Sequence, residues 1–227
     1  MFSRFLTTAL FAGASAGLLT GLLQLYFVQP VLLHAELYET GALVHFGADA
    51  VSARPELPGF DAVRDGLSLI FTMLTYTAYA LILLGAMSFG EERGAVIDGR
   101  WGILWGVAGF VAFHLAPGFS LAPEVPGVAA ADITARQIWW FATAGAALVA
   151  MWLLAFGTGW GAWISAAVLL MAPHVVGAPE PDNFSGPVPT EIGALFAARA
   201  LGIGLAAWVL LGSFAGFFWQ REGARSA

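Results

Sequence analysis

The chain has no cysteine. Disulfides and thiolate metal sites are therefore excluded. Lysine is absent too, so all nine cationic side chains are Arg. Without Lys there is no Walker A phosphate loop and no Schiff-base chemistry, and the chain cannot be its own ATPase. Charge of either sign is scarce, at 11% of 227 residues. A soluble domain carries about 25%, so this surface cannot face mostly water. The net charge of −6 argues against a nucleic-acid partner.

Hydrophobic residues fill the space that charge leaves, at 59%, with 28 Gly and 9 Trp. Gly is frequent in membrane helices and Trp at membrane interfaces. The sequence predicts an all-α fold, a polytopic bundle of about six transmembrane helices in one domain, 1–227. Expected spans cover 5–28, 67–89, 101–117, 138–156, 160–173 and 192–219. The third and fifth are short for a bilayer, and Pro117 and Pro173 are expected to interrupt them. Arg4, an apolar run and Ala14-Ser15-Ala16 imitate a signal peptide. The run continues to Val28, too long for such a segment, so a retained first span is expected.

Six spans put both termini on one side. Arg4, Arg93, Arg100, Arg221 and Arg225 share it, against Arg54, Arg64 and Arg136 opposite. The positive-inside rule then places the termini in the cytoplasm. Acids gather on the outer side: Glu36, Glu39, Asp49, Glu56, Asp61, Asp65, Glu124, Asp132, Glu180, Asp182 and Glu191. Pro55-Glu56-Leu57-Pro58-Gly59 recurs as Pro123-Glu124-Val125-Pro126-Gly127 and, more weakly, as Pro179-Glu180-Pro181. Pro30, Pro117 and Pro173 each lie near a His. This pattern reads as three parallel helical hairpins, an arrangement that places transporter sites at repeat interfaces.

All four histidines (His34, His45, His114 and His174) map to the outer side. Imidazole with carboxylate suits first-row divalent metals such as cobalt, nickel or zinc. His114 and His174 stand at span ends, and Glu36 and Glu39 follow His34. No compact ligand motif exists, so a site would have to assemble in three dimensions. The plain alternative is that these rings cap helices and bond to water. Arg199 lies about two turns into span six; an intramembrane Arg is usually paired or functional. Glu36, Glu124 and Asp65 are candidate partners, and snorkelling is the alternative. Arg136 opens span four. Gly13-Ala14-Ser15-Ala16-Gly17 imitates a nucleophile elbow but sits in a hydrophobic helix. With Gly21 it reads as a packing ridge, as do Gly102 with Gly106 and Gly212 with Gly216. Trp139, Trp140, Trp160, Trp163 and Trp219 read as interfacial anchors.

The first span followed by Gln29-Pro30 and Ala35-Glu36-Leu37-Tyr38-Glu39 resembles the start of the CbtA family of predicted cobalt transporter membrane subunits. His114-Leu115-Ala116-Pro117, Pro123-Glu124-Val125-Pro126-Gly127, Ala135-Arg136-Gln137-Ile138-Trp139-Trp140 and Pro173-His174-Val175-Val176-Gly177-Ala178-Pro179 resemble its later blocks, in order. The stretch 41–53, with His45, resembles none of them. The resemblance implies cobalt(II) uptake across the cell inner membrane for cobalamin biosynthesis. It also implies a small one-span partner with a His-containing tail, CbtB. By this analogy the candidate ligands are Glu36, Glu39, His114, Glu124 and His174, with His34 beside them. No catalytic residue or resident cofactor is expected. A membrane enzyme, a non-transporting scaffold or sensor, and a nickel permease are the rival readings.

Overall fold

The computed structural model describes residues 2–45 and 54–226. Asp49, one of the outer acids, lies outside them. The described residues form helices and no strand. In chain order these are α1 (Phe2–Leu23), α2 (Gln29–Glu39), α3 (Ala62–Glu91), α4 (Gly102–Phe110), α5 (Ala116–Ser120), α6 (Ile133–Phe156), α7 (Gly159–Val176) and α8 (Thr190–Ser226). A π-helical turn, Gln24–Val28, joins α1 to α2, and a second, Val111–Leu115, joins α4 to α5. Six helical runs are long and apolar enough to cross a membrane: Ser3–Glu39, Ala62–Glu91, Gly102–Ser120, Ile133–Phe156, Gly159–Val176 and Thr190–Ala224. At 1.5 Å per residue the shortest, 18 residues, spans about 27 Å, close to a hydrocarbon core. The chain is a multi-pass membrane protein.

Local chemistry explains the helix ends. The Asp61 carboxylate accepts from the N–H groups of Val63 (3.0 Å) and Arg64 (2.7 Å), capping α3. Asp132 accepts from the Ala135 N–H at 2.9 Å and caps α6. Both satisfy N–H groups that a helix start leaves bare. The prolines depart from expectation. Helix continues past Pro30, Pro117 and Pro173 instead of stopping. Pro lacks an N–H, and its ring crowds the carbonyl one turn back. Ahead of Pro30 and Pro117 the backbone widens into the π turns, which make room for that ring. Pro173 lies inside α7 without such a turn, so the third copy of the pattern is the least regular.

The chain divides into two compact units. The first comprises Met1–Leu23, Asp61–His114 and Ile203–Ala227. Here α1 packs on α3, the pair the hairpin pattern joins. Gly13, Gly17 and Gly21 face Thr77, Met73 and Leu69, so any side chain at Gly13 or Gly17 would strike α3 backbone. A second seam sets Asp98, Gly102 and Gly106 against Gly216, Gly212 and Trp208. The two small-residue ridges of spans three and six are therefore each other's partners, and carbonyls meet where a Cβ would be. Trp208 is 1% exposed; Phe113 stacks on it at 5.4 Å and Tyr79 lies 5.0 Å away. Trp219 is also buried, not an interfacial anchor. Arg4 lies 4.0 Å over its ring and donates to its carbonyl at 2.8 Å, while its indole N–H donates to Glu91 at 3.2 Å.

The second unit comprises Gln24–Phe60 and Leu115–Gly202. Here α6 packs on α7. The loops fold over a small core of Val31, Ala35, Tyr38, Val125 and Ile192. Val125 comes from the Pro123–Gly127 repeat, so that motif anchors a loop. Gly127, at φ +80°, packs against the stem of Glu39. The Ala129 N–H donates to the Ser185 carbonyl at 2.8 Å, tying two loops together. Trp139 is buried, contrary to an anchoring role, and its N–H donates to the Pro173 carbonyl at 3.3 Å. Trp160 and Trp163 remain exposed, as anchors should.

Candidate metal site

The second unit holds His34, His45, His174, Glu36, Glu39 and Glu124; His114 belongs to the first. Helix α2 carries His34 and Glu36 half-buried and Glu39 exposed. The His34 ring lies 5.6 Å from Tyr38, which meets His45 edge-on at 6.4 Å. Nε2 of His34 is buried with no hydrogen-bond partner among the described residues. A buried imidazole nitrogen without a partner has lost water and gained nothing, so it is available to an incoming group.

His174 stands one residue after Pro173, near the end of α7. Its Nδ1 lies 2.8 Å from Ser120 Oγ, at the end of α5. Phe119 and Trp139 approach the ring edge-on at 5.0 and 6.1 Å. His114 lies in the second π turn. The Trp208 indole donates to its Nδ1 at 3.0 Å, and Phe110 stacks at 6.0 Å.

The charged candidates find specific partners. Arg136, on the first turn of α6, pairs with Glu124 at 2.7 Å. Asp65 is buried at the start of α3 and pairs with the neighbouring Arg64 at 2.7 Å. Arg199 differs from expectation. Its guanidinium donates to the Phe27 carbonyl at 2.7 Å, and not to Glu36, Glu124 or Asp65. That carbonyl lies in the first π turn, ahead of Pro30. An Arg that reaches such a carbonyl satisfies both groups.

Among the described residues, no three His, Asp or Glu side chains converge on one point. What the second unit offers is a set of separate donors, three of them imidazoles, with Glu36 half-buried, Glu39 exposed and Glu124 held by Arg136. Such a set can attract a cation. Sequence reasoning missed Ser120, Trp208 and the Phe27 carbonyl, because a hydroxyl, an indole and a backbone oxygen carry no metal signature.

The family whose model matches the chain is CbtA, described as probable cobalt transporter subunit, over residues 2–220. The chain belongs to that family. No curated protein and no solved structure matches it.

Proposed function

We propose that this member of the CbtA family is the membrane-embedded subunit of a cobalt(II) uptake system in the cell inner membrane, with both termini in the cytoplasm. The family match across residues 2–220 carries the reading. The distribution of polar groups supports it. The outer acids raise the local concentration of cations. His174, His34, Glu36, Glu39 and Glu124 replace part of the hydration shell. His114, in the first unit, is held by the Trp208 indole. Weak, separate donors suit a permease, because an ion held too tightly does not leave. Release inward is by helix rocking or through a small one-span, His-tailed partner of the CbtB type. Cobalamin biosynthesis consumes the metal.

Among the described residues no three donors converge, which also fits a second reading, a non-transporting scaffold or sensor. Metal accumulation separates the two. Cells producing the chain should accumulate cobalt above cells without it, and more than nickel or zinc. A His174→Ala variant should lower cobalt accumulation towards background at normal protein level. Accumulation equal with and without the chain favours the scaffold; preferred nickel changes the cargo.

A further inference from the structure

Two histidines are held by partners of opposite chemistry. From this contrast we propose that His174 ligates cobalt(II) through Nε2, with Ser120 as the positioning residue that accepts a hydrogen bond from Nδ1–H. The inference rests on the metal-uptake reading above. An indole N–H only donates. At His114 the Trp208 N–H points at Nδ1 over 3.0 Å, so that nitrogen gives its lone pair to the bond. In the neutral ring the proton then sits on Nε2, and neither nitrogen is open to a metal.

A serine hydroxyl both donates and accepts. Ser120 Oγ, 2.8 Å from Nδ1 of His174, can accept a hydrogen bond from Nδ1–H and leave the Nε2 lone pair free. Nε2 has no hydrogen-bond partner among the described residues. The ring is aimed by its edge-on neighbours Phe119 and Trp139. Trp139 is itself held by its bond to the Pro173 carbonyl, on the residue before His174. Metal-bound imidazoles commonly give their second N–H to an oxygen, which fixes the tautomer and the ring. When the ion leaves, the Ser120 O–H can turn and donate, so the pair serves loaded and empty states without moving a heavy atom. The first unit's imidazole is thereby locked for packing and the second unit's is poised for exchange.

The test uses the full-length chain in detergent, titrated with cobalt(II) alone. A cobalt-bound imidazole gives a paramagnetically shifted, exchangeable N–H proton resonance. That resonance should appear in the wild type, vanish in His174→Ala and persist in His114→Ala. It should broaden by solvent exchange in Ser120→Ala and sharpen again in Ser120→Thr. The cobalt dissociation constant should rise about 10-fold in Ser120→Ala, further in His174→Ala, and stay put in His114→Ala. Should Ser120→Ala fold poorly, Ser120→Thr against Ser120→Val makes the same comparison, since the two differ by the hydroxyl against a methyl. Persistence of the resonance in His174→Ala, wild-type affinity in the hydroxyl-free variants, or no cobalt binding by the wild type overturns the proposal. Cobalt accumulation in cells would still stand in those cases. Accumulation at background in cells producing the wild type overturns the uptake reading, and this proposal with it.

Discussion

The two units of the molecule use their residues in contrasting ways. In the first, glycine lets backbones touch: Gly102 meets Gly212 and Gly106 meets the Trp208 carbonyl, around a core of Tyr79, Phe113 and Trp208. Its charged groups serve as joints, as Arg4 and Glu91 do around Trp219. In the second, polar groups outnumber seams. Histidines and carboxylates stand on α2, α7 and the loops, and the small core of Val31, Tyr38 and Val125 holds those loops in place. Lipid gives helices little hydrophobic reason to associate, so close van der Waals packing must supply the adhesion. A unit so built is costly to alter. A unit of separate polar donors tolerates change more easily.

Substitutions should separate the units by size of effect. Gly106→Leu would drive a side chain into the Trp208 carbonyl, where only backbone could yield. It should cost about 3 kcal/mol and abolish monodisperse protein in detergent. Gly145→Ala on α6 of the second unit meets open space and should change thermal stability by less than about 1 kcal/mol. Equal sensitivity at the two positions would break the contrast.

Arg199→Leu comes next. It strips the Phe27 carbonyl of its donor, and loss of a hydrogen bond to a charged group costs about 1.5–3 kcal/mol. Thermal unfolding should register that, with Arg199→Lys recovering part of it. The smallest effect belongs to Arg136→Ala. Its ion pair with Glu124 is partly exposed, and such pairs contribute about 0.2–1 kcal/mol. Melting should barely move, while cobalt uptake at low metal concentration should rise as Glu124 is freed. A large stability loss would recast this pair as structural.

Much of the architecture is legible from the residues. The apolar runs give the six helices, and the glycines at 102, 106, 212 and 216 announce a seam, though not that they face one another. The π turns are not legible, because Pro ordinarily ends a helix and nothing local says that the backbone will widen instead. Burial of Trp139 and Trp219 escapes notice because an indole near a span end suits core and interface alike. The site is harder still. Trp208 is 94 residues from His114 and Ser120 is 54 from His174, so neither pairing leaves a local pattern. Glu124 and Arg136 read as loop charge until the fold brings them together across a sequence separation of 12. The partner of Arg199 is a backbone oxygen, which every residue owns.

For uptake by the proposed route, the donor-rich loops must be the ones that meet the ion from outside. The chain's lack of cysteine makes sidedness directly measurable. Asp182→Cys, in the loop between α7 and α8, and Glu92→Cys, after α3, each introduce a unique thiol. In intact cells a membrane-impermeant maleimide should label the first and reach the second only after permeabilisation. The reverse pattern, or equal labelling of both, would contradict the account.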